Sequence, residues 1–220
     1  MKEELQAYKD QLRENLVKYT RKAFRTLPKM IGPCILDIGC GSGVPTMELA
    51  KLSDGEIIAV DTSQPALDRL ASKIRKAGLS SRVKAVKCSM FNMDFTDASF
   101  DIIWAEGSID VIGFEKGLRD WRRLLKFGGF LVVHDDMGNL TEKQRQISQC
   151  GYELISNFVL SQDVWRNKYY APLEKKFNWV RTNHTSQETT EVLNNDQREI
   201  DAFKRDPERY RSVFFILRKT

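Results

Sequence analysis

The chain has 220 residues, of which 41% are hydrophobic and 10% aromatic, enough for one domain with a sizeable core. No apolar run approaches the roughly 20 residues needed to cross a bilayer. The start, "MKEELQAYKDQL", is charged throughout and does not read as a signal peptide, so no membrane span and a cytoplasmic location are expected. The net charge of +5 is mild. Lysine and arginine gather in "KYTRKAFRTLPK" and between Trp165 and Arg181, which fits a solvated basic face or attraction of an anionic partner. Cys34, Cys40, Cys88 and Cys150 form no C-x-x-C pair, and with two histidines in the chain the expectation is reduced thiols and no metal site.

Taken in chain order, Leu5, Tyr8, Leu12, Leu16, Tyr19 and Phe24 predict a helix over Glu3–Arg25, closed by Pro28. Strands and helices then alternate. "CILDI", "EIIAVD", "VKAVKC", "FDIIWAE" and "GGFLVVHD" read as strands whose adjacent apolar residues suit burial on both faces. Thr46–Leu52, Pro65–Ala77 and Phe114–Leu125 carry helical periodicity between them. This alternation predicts a doubly wound α/β sheet. Beyond Asp136, "TEKQ" (Thr141–Gln144) predicts a capping box, "YELISNFVL" a sixth strand and "YRSVFFILRK" (Tyr210–Lys219) a last one. Between those strands Trp165, Tyr169, Leu173 and Phe177 recur at helical spacing, with Pro172 expected to kink or restart the helix. A second capping box, "TSQE" (Thr185–Glu188), opens a further helix ending near Pro207.

"ILDIGCGSGVPTMELA" joins the first strand to the next helix. It fails the dinucleotide pattern G-x-G-x-x-G, because the third position is Val44 or Thr46 according to register. It fails the phosphate-loop pattern as well. Instead an acid precedes the glycines, Asp37-x-Gly39-x-Gly41-x-Gly43, where it would repel phosphate and suit a cation. The second strand ends in Asp61, about 20 residues further on, where an acid accepts hydrogen bonds from ribose hydroxyls. A ligand joining a ribose to a cationic group satisfies both acids. S-adenosylmethionine is such a molecule.

On these residues, and on "FDIIWAEGSI" and "LRDWRRLLKFGGFLVVHDD", the chain resembles the class I S-adenosylmethionine-dependent methyltransferases, in the broad group of ubiquinone/menaquinone-type small-molecule enzymes. The resemblance runs from about Tyr19 to Asp136. It implies a seven-stranded, mostly parallel sheet of order 3-2-1-4-5-7-6 with strand 7 antiparallel. It implies that Asp37, Gly39 and Gly41 line the cofactor's methionine part, Asp61 holds the ribose, and Thr62, Ser89 and Met90 lie beside adenine. Ala105 and Glu106 would sit beneath the sulfonium at the substrate entrance. Residues 1–220 then form a single domain: an N-terminal helical lid (1–29), a cofactor-binding core (30–136) and a helical insertion (161–209) that can cover the substrate.

Methyl transfer to a protonated acceptor calls for a base, and the candidates near the fourth and fifth strand ends are Glu106 and His134, with Asp110, Asp135 and Asp136 nearby. His134, closing "FLVVH", is expected to titrate near neutrality. Tyr19, Asp110, Trp165 and Tyr169 are the candidate substrate contacts. The Trp165–Phe177 stripe reads first as core and second as an aromatic wall. The segment after the fourth strand, "WAEGS", lacks the Asn/Asp-Pro-Pro-Tyr of base-amino methylation, which favours a small-molecule acceptor over nucleic acid. The rival is RNA binding or RNA methylation through the basic-aromatic segment 165–181.

Overall fold

The computed structural model describes residues 2–183 and 187–220. Seven strands, β1 (Cys34–Ile38), β2 (Glu56–Asp61), β3 (Val83–Lys87), β4 (Phe100–Glu106), β5 (Leu125–Asp136), β6 (Tyr152–Leu160) and β7 (Ser212–Lys219), build one sheet of order β3-β2-β1-β4-β5-β7-β6. The first five pair in parallel, and β7 runs antiparallel to both β5 and β6. Order and reversal are those the resemblance implied.

The central strands are apolar on both faces because helices cover both. Ile35, Ile57 and Trp104 pack with Leu49, Leu67, Leu70 and Ile74, which come from α3 (Val44–Leu52) and α4 (Gln64–Lys76). Leu36, Ile38 and Ile103 pack on the opposite side with Leu118, Trp121 and Ile147, from α5 (Phe114–Arg122) and α6 (Leu140–Gln149). Burying such side chains at about 1.5–3 kcal/mol each supplies most of the favourable free energy.

The N-terminal stretch is not one helix. It breaks at Asn15–Leu16 into α1 (Lys2–Glu14) and α2 (Val17–Phe24), with three-residue turns closing the junction. The two halves serve different cores. Leu5 and Leu12 of α1 join a third cluster with Tyr169, Leu173, Phe177 and Ile200, whereas Ala23 of α2 packs on the sheet. That third cluster is built by the chain between β6 and β7: α7 (Gln162–Trp165), a π-helical turn (Arg166–Tyr170), α8 (Ala171–Asn183) and α9 (Gln187–Arg205). The widened turn ends just before Pro172. Proline has no N–H for the Lys168 carbonyl and its ring would clash there, so the backbone opens by one residue and the helix continues.

Several element boundaries differ from expectation. α5 stops at Arg122, and β5 starts at Leu125, where the helix was expected to continue, and not at Gly128. The cap of α6 is Asn139, whose side chain accepts the Glu142 N–H at 3.1 Å, so Thr141 lies inside the helix. β7 begins at Ser212 because Pro207–Tyr210 form a 3₁₀ turn. Cys88 follows β3 instead of closing it. The "TSQE" box at Thr185 and Ser186 lies outside the described residues. Among the described residues no helix is long and apolar enough to cross a membrane.

Since β6 and β5 both oppose β7, β6 ends at the carboxyl edge of the parallel strands. The chain leaves there at Leu160 and returns at Ser212, which pair in register. The intervening helices therefore hang over the edge where β1, β4 and β5 end.

Candidate active site

At that edge lies a cavity of about 1070 Å³. The glycine turn forms one wall. Gly39 and Cys40 N–H groups both donate to the Val60 carbonyl, at 2.8 and 3.0 Å, tying the turn to β2. Gly39 has φ +71°, and a Cβ there would meet the Ser108 Cβ at 2.4 Å, so only glycine permits this approach. Asp37, Gly39 and Gly41 all line the cavity.

Asp37 is 1% exposed. Thr46, in the first turn of α3, donates to its Oδ2 at 2.5 Å; no salt bridge to Asp37 is present among the described residues. Burial, with the Asp61 charge as a smaller contribution opposed by the Thr46 bond, pushes its pKa up to about 7. A buried carboxylate facing a cavity with no counter-ion suits a cationic ligand group. Asp61 accepts the Gly41 N–H at 2.9 Å and the Ser63 N–H at 2.8 Å, so the second strand's acid braces the turn that carries the first.

Glu106 also lines the cavity. The Thr20 hydroxyl of α2 lies 3.0 and 3.2 Å from its oxygens, and the Trp104 indole donates at 3.1 Å. Burial dominates these neutral donors and raises its pKa to about 7. The expectation for His134 is overturned. The ring is 7% exposed, stacked between Phe214 (4.3 Å, 13°) and Trp165 (5.9 Å, 8°). Burial depresses its pKa to about 3, so it stays neutral at physiological pH and is a poor base.

Tyr19, Asp110, Trp165 and Tyr169 all reach the cavity. Asp61, Thr62, Ser89 and Met90 do not line it, and the Ala105 side chain belongs to the sheet core. Met90 stays near the glycine turn, its methyl 3.6 Å from where a Cβ on Gly39 would lie. Asp135 and Asp136 share the Lys143 ammonium, at 2.5 and 3.0 Å. The sequence reading did not anticipate Glu199, Glu208 and Tyr210, which line the far end. Glu199 and Glu208 come from the insertion, where no motif marks them, and Tyr210 ends the 3₁₀ turn before β7, where a strand was expected. Thr46 and Thr20 carried a weak signal only, as hydroxyls on helices beside the two acids.

The aromatic residues of segment 165–181 divide between the third cluster, the cavity and the surface. Tyr169, Tyr170 and Phe177 are buried in the third cluster, while Trp179 is 52% exposed and stacks under Lys176.

Residues 35–129 match the family model described as a methyltransferase domain. Sterol 24-C-methyltransferase of Eremothecium gossypii is 33% identical over 47% of this chain and 28% of its own length. The chain spans less than half the length of the curated relatives it matches first. An S-adenosylmethionine-dependent methyltransferase of Thiobacillus denitrificans, solved with S-adenosylhomocysteine, superposes with a TM-score of 0.74 at 17% identity, over 92% of this chain and 91% of that one. The [4+2]-cyclase SpnF superposes at 0.76 and 19% identity, covering 92% and 80%. At such identities the likeness shows the fold, and one fold serves more than one chemistry.

Proposed function

We propose that this chain is a class I S-adenosylmethionine-dependent methyltransferase that transfers a methyl group to a small-molecule acceptor held in the cavity. The observation that carries the reading is one cavity lined by two carboxyls that their surroundings hold up near neutrality, Asp37 beside the glycine turn and Glu106 at the end of β4.

When bound, S-adenosylmethionine supplies an activated methyl on a sulfonium, leaving the protein to align and to exclude water. Asp37 and the glycine-turn backbone receive the cationic methionine part. Asp61 takes the ribose hydroxyls through lone pairs its two backbone bonds leave open, with Thr62, Ser89 and Met90 toward the base and Ala105 toward the sulfonium. Glu106 accepts the acceptor's proton, its raised pKa placing it near the working pH. Tyr19, Asp110, Trp165 and Tyr169 contact the acceptor.

Residues 1–29 and 161–209 act as the two covers. They are joined: the Tyr8 hydroxyl of α1 donates to the Pro172 carbonyl at 3.3 Å. Lys73 of α4 in turn bridges Asp10 of α1 and the Ser42 carbonyl of the glycine turn, at 3.0 Å each. The cover thus reports on the cofactor loop through one ammonium.

Incubation with methyl-labelled S-adenosylmethionine and a panel of small molecules, followed by mass spectrometry, tests the reading. Label should appear on a small molecule, and a cyclised product without label would assign a different chemistry. In calorimetry the chain should bind S-adenosylmethionine and not NAD or ATP. Asp61→Ala should weaken that binding about ten- to a hundredfold. Glu106→Gln should lower turnover while leaving cofactor affinity intact.

A further inference from the structure

His134 is buried, neutral and oriented by two partners, a combination the base assignment does not use. Its Nε2 lies 2.8 Å from the Ser212 hydroxyl. The same hydroxyl oxygen receives the Trp165 indole N–H at 2.9 Å. An indole nitrogen only donates, so Ser212 accepts from Trp165 and keeps its own proton to give. His134 Nε2 is its hydrogen-bond partner. If Nε2 carried the ring proton, Ser212 would accept twice and its own proton would have no acceptor in a site that is 5% exposed.

We infer that Trp165, Ser212 and His134 form a directed hydrogen-bond chain that fixes the imidazole as its Nδ1–H tautomer, so that His134 offers the acceptor molecule a hydrogen-bond donor and not a base. The parallel stack between Trp165 and Phe214 fixes the ring plane. Among the described residues Arg69 Nε is the buried side-chain nitrogen or oxygen lacking a partner. Among those residues no hydrogen-bond partner faces His134 Nδ1 either, so it keeps open surface on a ring that lines the cavity. The depressed pKa agrees with a ring that remains neutral while its donor is in use. The substrate class follows: an acceptor molecule bearing a hydrogen-bond-accepting group, such as a carbonyl, carboxylate or ether oxygen, beside the aromatic wall. Trp165 and Ser212 are positioning residues; His134 is the contact. This rests on the proposed methyl transfer only for what the contact is used for.

Long-range ¹H–¹⁵N correlation spectra of the full chain with ¹⁵N-labelled histidine read the tautomer directly, with His184→Gln assigning the second histidine. Nδ1 should be protonated and Nε2 unprotonated at neutral pH. The reverse pattern, or both nitrogens protonated, overturns the inference. Ser212→Ala should abolish the single tautomer and Ser212→Thr should restore it; an unchanged spectrum in Ser212→Ala removes the chain's role. For whichever molecule acquires label, His134→Ala should raise its KM about three- to tenfold, the effect of one lost hydrogen bond. Cofactor affinity should not change. The rise of kcat with pH should persist in His134→Ala and vanish in Glu106→Gln; loss of that rise in His134→Ala would make the ring a base and sink the inference. The spectra report on the ring whether or not methyl transfer is found, so failure of the tautomer and failure of the reaction are separate results.

Discussion

Asp37 and Glu106 both sit in burial strong enough to bring a carboxyl to about 7, with consequences that depend on which form each needs. Asp37 attracts a cation only when ionised. Below about pH 7 the ligand must first displace a proton, so affinity for S-adenosylmethionine should fall with decreasing pH, approaching tenfold per unit, and flatten above it. Asp37→Asn should bind weakly at every pH, without that slope; a wild-type isotherm that ignores pH from 5.5 to 8 would falsify the assignment. Asp37 and the glycines were legible in the sequence because the backbone itself imposes the pattern. The partners that tune them were not. Thr46 is nine residues away along the chain and Thr20 eighty-six residues from Glu106, distances no local pattern spans. His134 shows the same limit from the other side: its position at a strand end was evident, but its protonation depends on Trp165, Ser212 and Phe214 arriving from elsewhere.

At the level of the elements, β1, β2 and β4 were legible to the residue because two-sided burial demands continuous apolar runs, whereas β5 starts three residues earlier than its apolar run. Helix ends were read less well. The break between α1 and α2 has no proline or glycine to announce it; it exists because each half packs on a different core. Asn139 supplanted the Thr141 box because an amide two residues earlier already accepts the free Glu142 N–H. Gly43 illustrates a local demand with a distant cause. It has φ +80°, and a Cβ would meet the Leu70 methyl at 2.2 Å, so the first turn of α3 needs both a left-handed residue and the space beside α4. Gly43→Ala should destabilise the fold by about 2–4 kcal/mol, combining left-handed strain with overpacking. Chemical denaturation with an unchanged midpoint would show that Leu70 repacks freely.

Across the whole molecule, a ligand that bridges the ends of β1 and β2 and contacts the covers should stabilise all three cores together. Saturation with S-adenosylhomocysteine at about 100 times its dissociation constant should add roughly 2.7 kcal/mol, visible as a single shifted thermal transition. The topology was accessible from alternation plus the glycine motif, whereas the lining of the cavity's far end was not, since the insertion has helical periodicity without chemical signature. That insertion begins and finishes on facing rungs, Leu160 and Ser212. A loop anchored at neighbouring posts can be exchanged without rethreading the frame beneath it. Grafting a foreign excursion between those two posts should therefore re-tailor which guest is admitted while the half of the chamber that holds the methyl donor keeps its shape.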